Sequence, residues 1–376
     1  MHRSALLLLS TTLALYLPLF SQTRDTTFRL NGSLADIESG TVQIWQPRSD
    51  SSFYVFENGV PIRQGKFQFN GHLQFPQTTN LGIFDENGTF LFDSGWFYID
   101  PGEQEVHIKS AQEVISITSN ATSFREYAAG YQPVNDSLDL IRRNIIRELD
   151  KAKFASLGLA VMDSLNRLKV RLEAQQGIFL MEYVLAHPQS FVSLDEISAS
   201  ISLENYVFAE KAFFFLDPEL KNTVTGQEIQ RKIDRVKALE IGRRFPDFGL
   251  LDTAGVSTSL HQMEGGRLLL IDFWFNSCGF CIQQFPELRQ LYKRYQPKGL
   301  EIIGITVDKE RFAANWKKAI RTHQLPWPQY WDFNGLQSAD YLIRDFPTNF
   351  LLNDRGEIIG RNLALEELQL FLEERL

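Results

Sequence analysis

The chain reads as three fold classes in succession: an all-β segment, a run of helices, and a C-terminal α/β domain. Three observations carry this reading. Between residues 26 and 117, short aromatic or β-branched segments alternate with turn signals such as Asn58-Gly59, Asn87-Gly88 and Pro101-Gly102. Between 123 and 242 the apolar spacing changes to three and four. From Pro246 onward, strand-like and helix-like segments interleave, which implies a domain built on a central sheet.

The totals agree with several folded domains. A chain of 376 residues exceeds one ordinary domain, and 44% hydrophobic with 22% charged residues is a globular composition. The 30 phenylalanines predict large aromatic cores. A formal net charge of −8 argues against a nucleic-acid partner, which requires a basic face, and gives no reason to dock on anionic lipid.

Residues 1–21 read as a secretory signal peptide: Arg3, an apolar run from Ala5 to Phe20 interrupted by Pro18, then the small Ser21. An uncleaved anchor is the alternative, because the run approaches the roughly 18 residues that span a bilayer. The segment has no cysteine of the kind a lipoprotein needs at its cleavage site, so no lipid anchor is expected. The expected location is the periplasm or cell envelope.

Residues 24–119 form the β-rich domain, with strands expected at 27–34, 41–45, 53–57, 66–73, 81–84, 90–92, 96–99 and 105–108. A sandwich or barrel accommodates such a string. Residues 120–242 form a helical connector. Val134, Leu138, Ile141, Ile145 and Leu149 lie on one helical face, and Ser123…Glu126, Ser193…Glu196 and Thr225…Glu228 match capping boxes. His187-Pro188 ends one helix, and the run Phe213-Phe214-Phe215 is expected in the helical core. Residues 243–376 form the α/β domain, with strands at 268–273 and 300–307, helices at 278–295, 310–323 and 365–376, and a hairpin turning at Asp354-Arg355-Gly356.

Only two cysteines occur, and they frame Cys278-Gly279-Phe280-Cys281 where a buried strand meets a helix. A pair so close closes a tiny loop and adds little stability, so its value is chemical. Disulfide exchange needs one thiol that ionises easily and a second near enough to resolve the mixed disulfide. A helix N-terminus stabilises a thiolate with its free N–H groups and partial positive charge, which points to Cys278 as nucleophile and Cys281 as resolving thiol. A zinc site needs two further ligands, and no third cysteine or suitably spaced histidine supplies them, so no metal or other cofactor is expected. A peroxidatic cysteine wants Thr or Ser three residues earlier, where Phe275 stands, and a copper chaperone on such a scaffold wants three residues between its cysteines.

Leu270-Ile271-Asp272-Phe273-Trp274, the Cys278–Cys281 motif, Phe285-Pro286-Glu287-Leu288 and Phe346-Pro347-Thr348-Asn349-Phe350-Leu351-Leu352 together resemble a TlpA-type thioredoxin-like thiol:disulfide oxidoreductase. The entry Pro246-Asp247-Phe248 fits as well, and the resemblance covers about 130 C-terminal residues. Upstream, the β-region and helices resemble the N-terminal extension common in the Bacteroidota. The resemblance implies a thioredoxin fold, with Pro347 as a cis-proline that binds extended substrate backbone beside Phe346, Phe280 and Trp274. It implies that Asp272 is a buried acid of raised pKa, exchanging a proton with Cys281. It further implies a substrate protein carrying disulfides or thiols and a membrane electron donor. Three positions depart from the pattern: Ser277 replaces a frequent Trp, Phe280 the commonest Pro, and Gln284 a frequent Glu. The expected function is therefore reduction of disulfides in envelope proteins. Net oxidation or isomerisation is the alternative, and a binding module built on the β-domain, with the redox domain auxiliary, is the rival of another class.

Overall fold

The computed structural model describes residues 27–47, 53–55, 59–111, 114–154, 159–263 and 267–376. The expected signal segment, 1–21, lies outside the described residues. These residues divide into two compact units, one made of residues up to Ala121 except a short segment at 47–54, the other mainly of Thr122–Leu376.

The first unit is all-β. Its strands are β1 (Thr27–Leu34), β2 (Ser39–Pro47), β3 (Phe53–Val55), β4 (Val60–Arg63), β5 (Lys66–His72), β6 (Gln77–Phe84), β7 (Phe90–Asp93), β8 (Phe97–Ile99), β9 (Gly102–Ala111) and β10 (Val114–Ser119). Alternation builds them: in β1, Phe28, Leu30 and Leu34 point into the core while Thr27 and Arg29 face solvent. The order β10-β9-β1-β5-β4-β2-β6-β7 makes one continuous sheet, with β3 added at β2 and β8 at β6. Among the described residues its end strands do not pair with each other, so the sheet is a β-rich half-barrel in place of the complete barrel or sandwich expected. A parallel β1–β9 pairing inside an otherwise antiparallel order is the feature that no local turn signal encodes.

The second unit begins with α1 (Thr122–Glu126), a π-helical turn at Tyr127–Tyr131, and α2 (Gln132–Phe154). It continues through α3 (Leu159–Ala186), α4 (Phe191–Ser200), α5 (Tyr206–Phe215), α6 (Pro218–Lys221) and α7 (Val224–Lys237). The caps fall earlier than the capping-box patterns place them. Ser190 caps α4 and Thr223 caps α7, each accepting a bond from a first-turn N–H, while Ser193 is inside its helix and donates to the His187 carbonyl. The phenylalanine run is also split. Phe213 is buried, but Phe214 is 74% exposed, because successive helical residues turn by about 100° and cannot share one face.

The same unit then forms β11 (Gly249–Asp252), β12 (Ser257–Ser259), β13 (Leu268–Trp274), α8 (Gly279–Tyr295), β14 (Leu300–Thr306), α9 (Ala313–Thr322) and β15 (Gln329–Trp331). It closes with α10 (Leu336–Asp340), β16 (Thr348–Asn353), β17 (Ile358–Arg361) and α11 (Leu365–Arg375). The sheet order is β12-β11-β15-β14-β13-β16-β17. β13, β14 and β15 run parallel, and β16 returns antiparallel beside β13. All seven residues of β13 are buried, as a central strand covered on both faces requires. On one face α8 contributes Cys281, Phe285, Leu288, Leu291 and Tyr295, spaced by three and four. The other face carries the rings of Phe245, Phe248, Phe273 and Phe350. Half-exposed pairs also join α7 to α10 within this unit: Arg231 and Arg235 both reach Asp340, and Arg235 lies over the Tyr341 ring.

Candidate redox site

β13 delivers the chain to the C-terminal edge of the sheet, and α8 carries it away. Between them, residues 275–278 form a turn closed by the Cys278 N–H donating to the Phe275 carbonyl at 3.0 Å. Cys278 is the N-cap of α8, so the helix begins one residue later than the spacing predicts. Its Sγ accepts a bond from the Cys281 N–H at 3.2 Å, the contact through which a helix N-terminus favours a thiolate. Cys278 and Cys281 are joined by a disulfide, with Cα atoms 5.3 Å apart. Both sulfurs belong to the core packed under α8, and Cys278 is the less covered, 4% exposed against 1%. The less covered residue of the two is thus also the one that caps the helix.

Asp272 lies two residues before the end of β13 and is buried. Burial alone pushes its carboxyl up from 3.8 to about 7. No donor offsets the loss of water, so the neutral acid is favoured.

The β13–β16 register brings the remaining elements together. Asp272 lies opposite Asn349 and Phe273 opposite Thr348, which sets the preceding residues beside the end of β13. The Phe346–Pro347 peptide is cis. Phe346 meets Phe275 edge to face at 5.6 Å, and both rings pack against the core that holds the cysteines. Phe280, Phe346 and Pro347 are half-buried and so present part of their surface near the disulfide. Trp274 does not. It is fully buried, donates its indole N–H to Gln329 Oε1 at 3.1 Å, and stands edge to face with Phe285. Its expected role as a substrate contact is therefore corrected: it supports the site from beneath.

Sequence reasoning missed Asp308. This buried residue follows β14 and accepts bonds from the Asn276 backbone N–H at 2.9 Å, from the Asn276 amide, and from the Thr306 hydroxyl at 2.6 Å. The available signal was an acid just past a central parallel strand, at the sheet edge where sites in α/β domains form. Trp331 adds a bond from its indole N–H to the Asp308 carbonyl and so belongs to this brace.

Residues 241–361 match the AhpC/TSA family. The thiol-disulfide oxidoreductase ResA of Bacillus thuringiensis subsp. konkukian is 30% identical over 138 residues, which is 37% of this chain and 78% of the relative. The thioredoxin-like protein YneN of Bacillus subtilis is 30% identical over 121 residues, 32% of this chain and 69% of the relative. Through its C-terminal region the chain belongs to this thioredoxin-like oxidoreductase family. It is accordingly an enzyme of the thiol-disulfide oxidoreductase class. Solved structures similar to this oxidoreductase include a thiol-disulfide oxidoreductase from Bacteroides fragilis, 32% identical, covering 36% of this chain and all of that one, with a TM-score of 0.33. The thioredoxin domain of a Bacteroides vulgatus thiol-disulfide oxidoreductase is 30% identical, covers 36% and 96% of the two chains, and has the same TM-score. Among the described residues of the oxidoreductase, no helix is long and apolar enough to cross a membrane.

Proposed function

We propose that this protein is an exported reductase of disulfides in envelope proteins, with Cys278 and Cys281 as its redox couple. The observation that carries the reading is the disulfide at the N-cap of α8, where Cys278 Sγ meets the Cys281 N–H, with a buried acid in the strand that leads to it. In the reduced enzyme the Cys278 thiolate attacks one sulfur of a substrate disulfide. That S–S bond breaks, a mixed disulfide forms, and the departing substrate sulfur takes up a proton. Cys281 passes its proton to ionised Asp272 and then attacks Cys278 Sγ. Asp272 hands that proton to the second substrate sulfur, which leaves as a thiol, and the enzyme is left oxidised; the substrate has gained two electrons from the enzyme, one proton from water and one by way of Asp272. An acid with a pKa of about 7 is suited to this exchange near neutral pH. Phe280, Phe346 and Pro347 form the docking face for extended substrate backbone. A membrane electron donor restores the dithiol, residues 1–21 direct export, and residues 24–119, 120–242 and 243–376 serve as β-domain, helical connector and redox domain.

The test uses two variants. Cys278→Ser is expected to reduce turnover of a disulfide substrate such as insulin to the uncatalysed background. Cys281→Ser is expected to accumulate a mixed disulfide through Cys278, visible as a mass increase that dithiothreitol reverses. Undiminished turnover by Cys278→Ser would refute the assignment.

A further inference from the structure

The turn that carries Cys278 is not held by its own hydrogen bonds alone. Its closing bond, from the Cys278 N–H to the Phe275 carbonyl, leaves the Asn276 N–H pointing outward at the turn's second position. That N–H donates to Asp308 Oδ2, and the Asn276 side-chain amide donates to Oδ1 of the same carboxylate, so one acid grips one residue through both oxygens. The carboxylate is itself fixed. Thr306 donates its hydroxyl to Oδ2, and the Asp308 N–H returns a bond to the Thr306 oxygen. The backbone is tied as well, by the Val307 N–H to the Trp274 carbonyl and by the Trp331 indole to the Asp308 carbonyl. Asp308 is only 4% exposed, so the grip is shielded from competing water.

We propose that Asp308 is a positioning residue for the redox site: through Asn276 it holds the 275–278 turn in the form that makes Cys278 the N-cap of α8. This rests on the assignment of Cys278 as the attacking sulfur. The consequence is chemical. The Cys278 sulfur gains from the helix N-terminus only while it faces the Cys281 N–H, and that orientation begins in the turn. Released from Asp308, the turn samples other forms, and the thiolate loses part of its stabilisation. Electrostatics alone argues for the opposite sign, because removing a nearby negative charge favours a thiolate. The two accounts therefore separate by direction.

The experiment is the pH dependence of Cys278 alkylation in the reduced full-length protein, carrying Cys281→Ser so that one thiol reports. Asp308→Ala is expected to raise the pH of half-ionisation by about one unit, a tenfold loss of thiolate at pH values below it. Asn276→Ala keeps the backbone bond and is expected to shift the profile the same way by less. Adding it to Asp308→Ala is expected to produce no further shift, since both act through one contact. Unchanged or lowered half-ionisation in either single variant would overturn the proposal, so Asn276→Ala gives that answer even if Asp308→Ala does not fold. The functional reading fails differently: Cys278→Ser would then retain full disulfide turnover, whatever the alkylation profiles show.

Discussion

Two buried aspartates flank the start of α8, and they are held in opposite ways. Asp272, inside β13, loses water and gains no donor, so its carboxyl rises to about 7. Asp308, in the loop after β14, loses water but receives a backbone N–H, an amide and a hydroxyl. Burial without donors favours the neutral acid and brings its titration close to neutral pH. Burial with donors makes an anchor. Neighbouring parallel strands thus present the same side chain for different work, and the difference lies in what surrounds each carboxyl.

The same substitution made at both positions separates them by sign. At Asp272 the folded pKa of about 7 exceeds the ordinary 3.8, so between those values the folded state holds a proton that the unfolded chain has released. Stability therefore falls as pH rises through that window, and the full penalty remains above it. Asp272→Asn removes the ionisable group and is expected to stabilise the protein at pH 8 by up to about 4 kcal/mol, with the gain vanishing near pH 4. Urea unfolding at the two pH values measures this, and equal effects at both would show that Asp272 carries no proton in that range. The expected cost is slower resolution of the mixed disulfide near neutral pH.

Asp308→Asn should act in the opposite direction. An amide cannot accept from all three donors, and buried donors left unsatisfied destabilise by about 2 kcal/mol. Unfolding at pH 8 tests this, and a stabilised variant would erase the contrast between the two sites. Asp340 gives the reference for a carboxyl that water still reaches. It pairs with Arg231 and Arg235 on a half-exposed surface, so Asp340→Asn should cost less than about 1 kcal/mol and lose even that in high salt.

The same logic explains what the sequence revealed. Asp272 was legible through the resemblance, supported by the apolar residues on either side of it, and Cys278 and Cys281 because their spacing has a chemical use. The strands at 268–273 and 300–307 were legible as continuous apolar runs and extend by one residue or shorten by one in the structure. Asp308 was not legible. Its partners Asn276 and Thr306 come from two different strand ends, and only the pairing of β13 with β14 joins them. β15 and β11 were missed for a similar reason, since each is short and is defined by its neighbours instead of its own periodicity. Phe214 shows the converse error, an apolar run read as core although its helix buries only part of it. Trp274 was recognised as part of the site, but its depth follows from the packing of α8 against the sheet, which no spacing encodes.

The most direct test of the central claim is the reduction potential of the Cys278/Cys281 couple, measured by equilibration in glutathione buffers with alkylation of the free thiols. The reading of a reductase recharged by a membrane donor requires one reversible two-electron transition at or below about −230 mV. A transition above about −180 mV would contradict it and make the protein an oxidase or isomerase, with Phe280 the first residue to exchange.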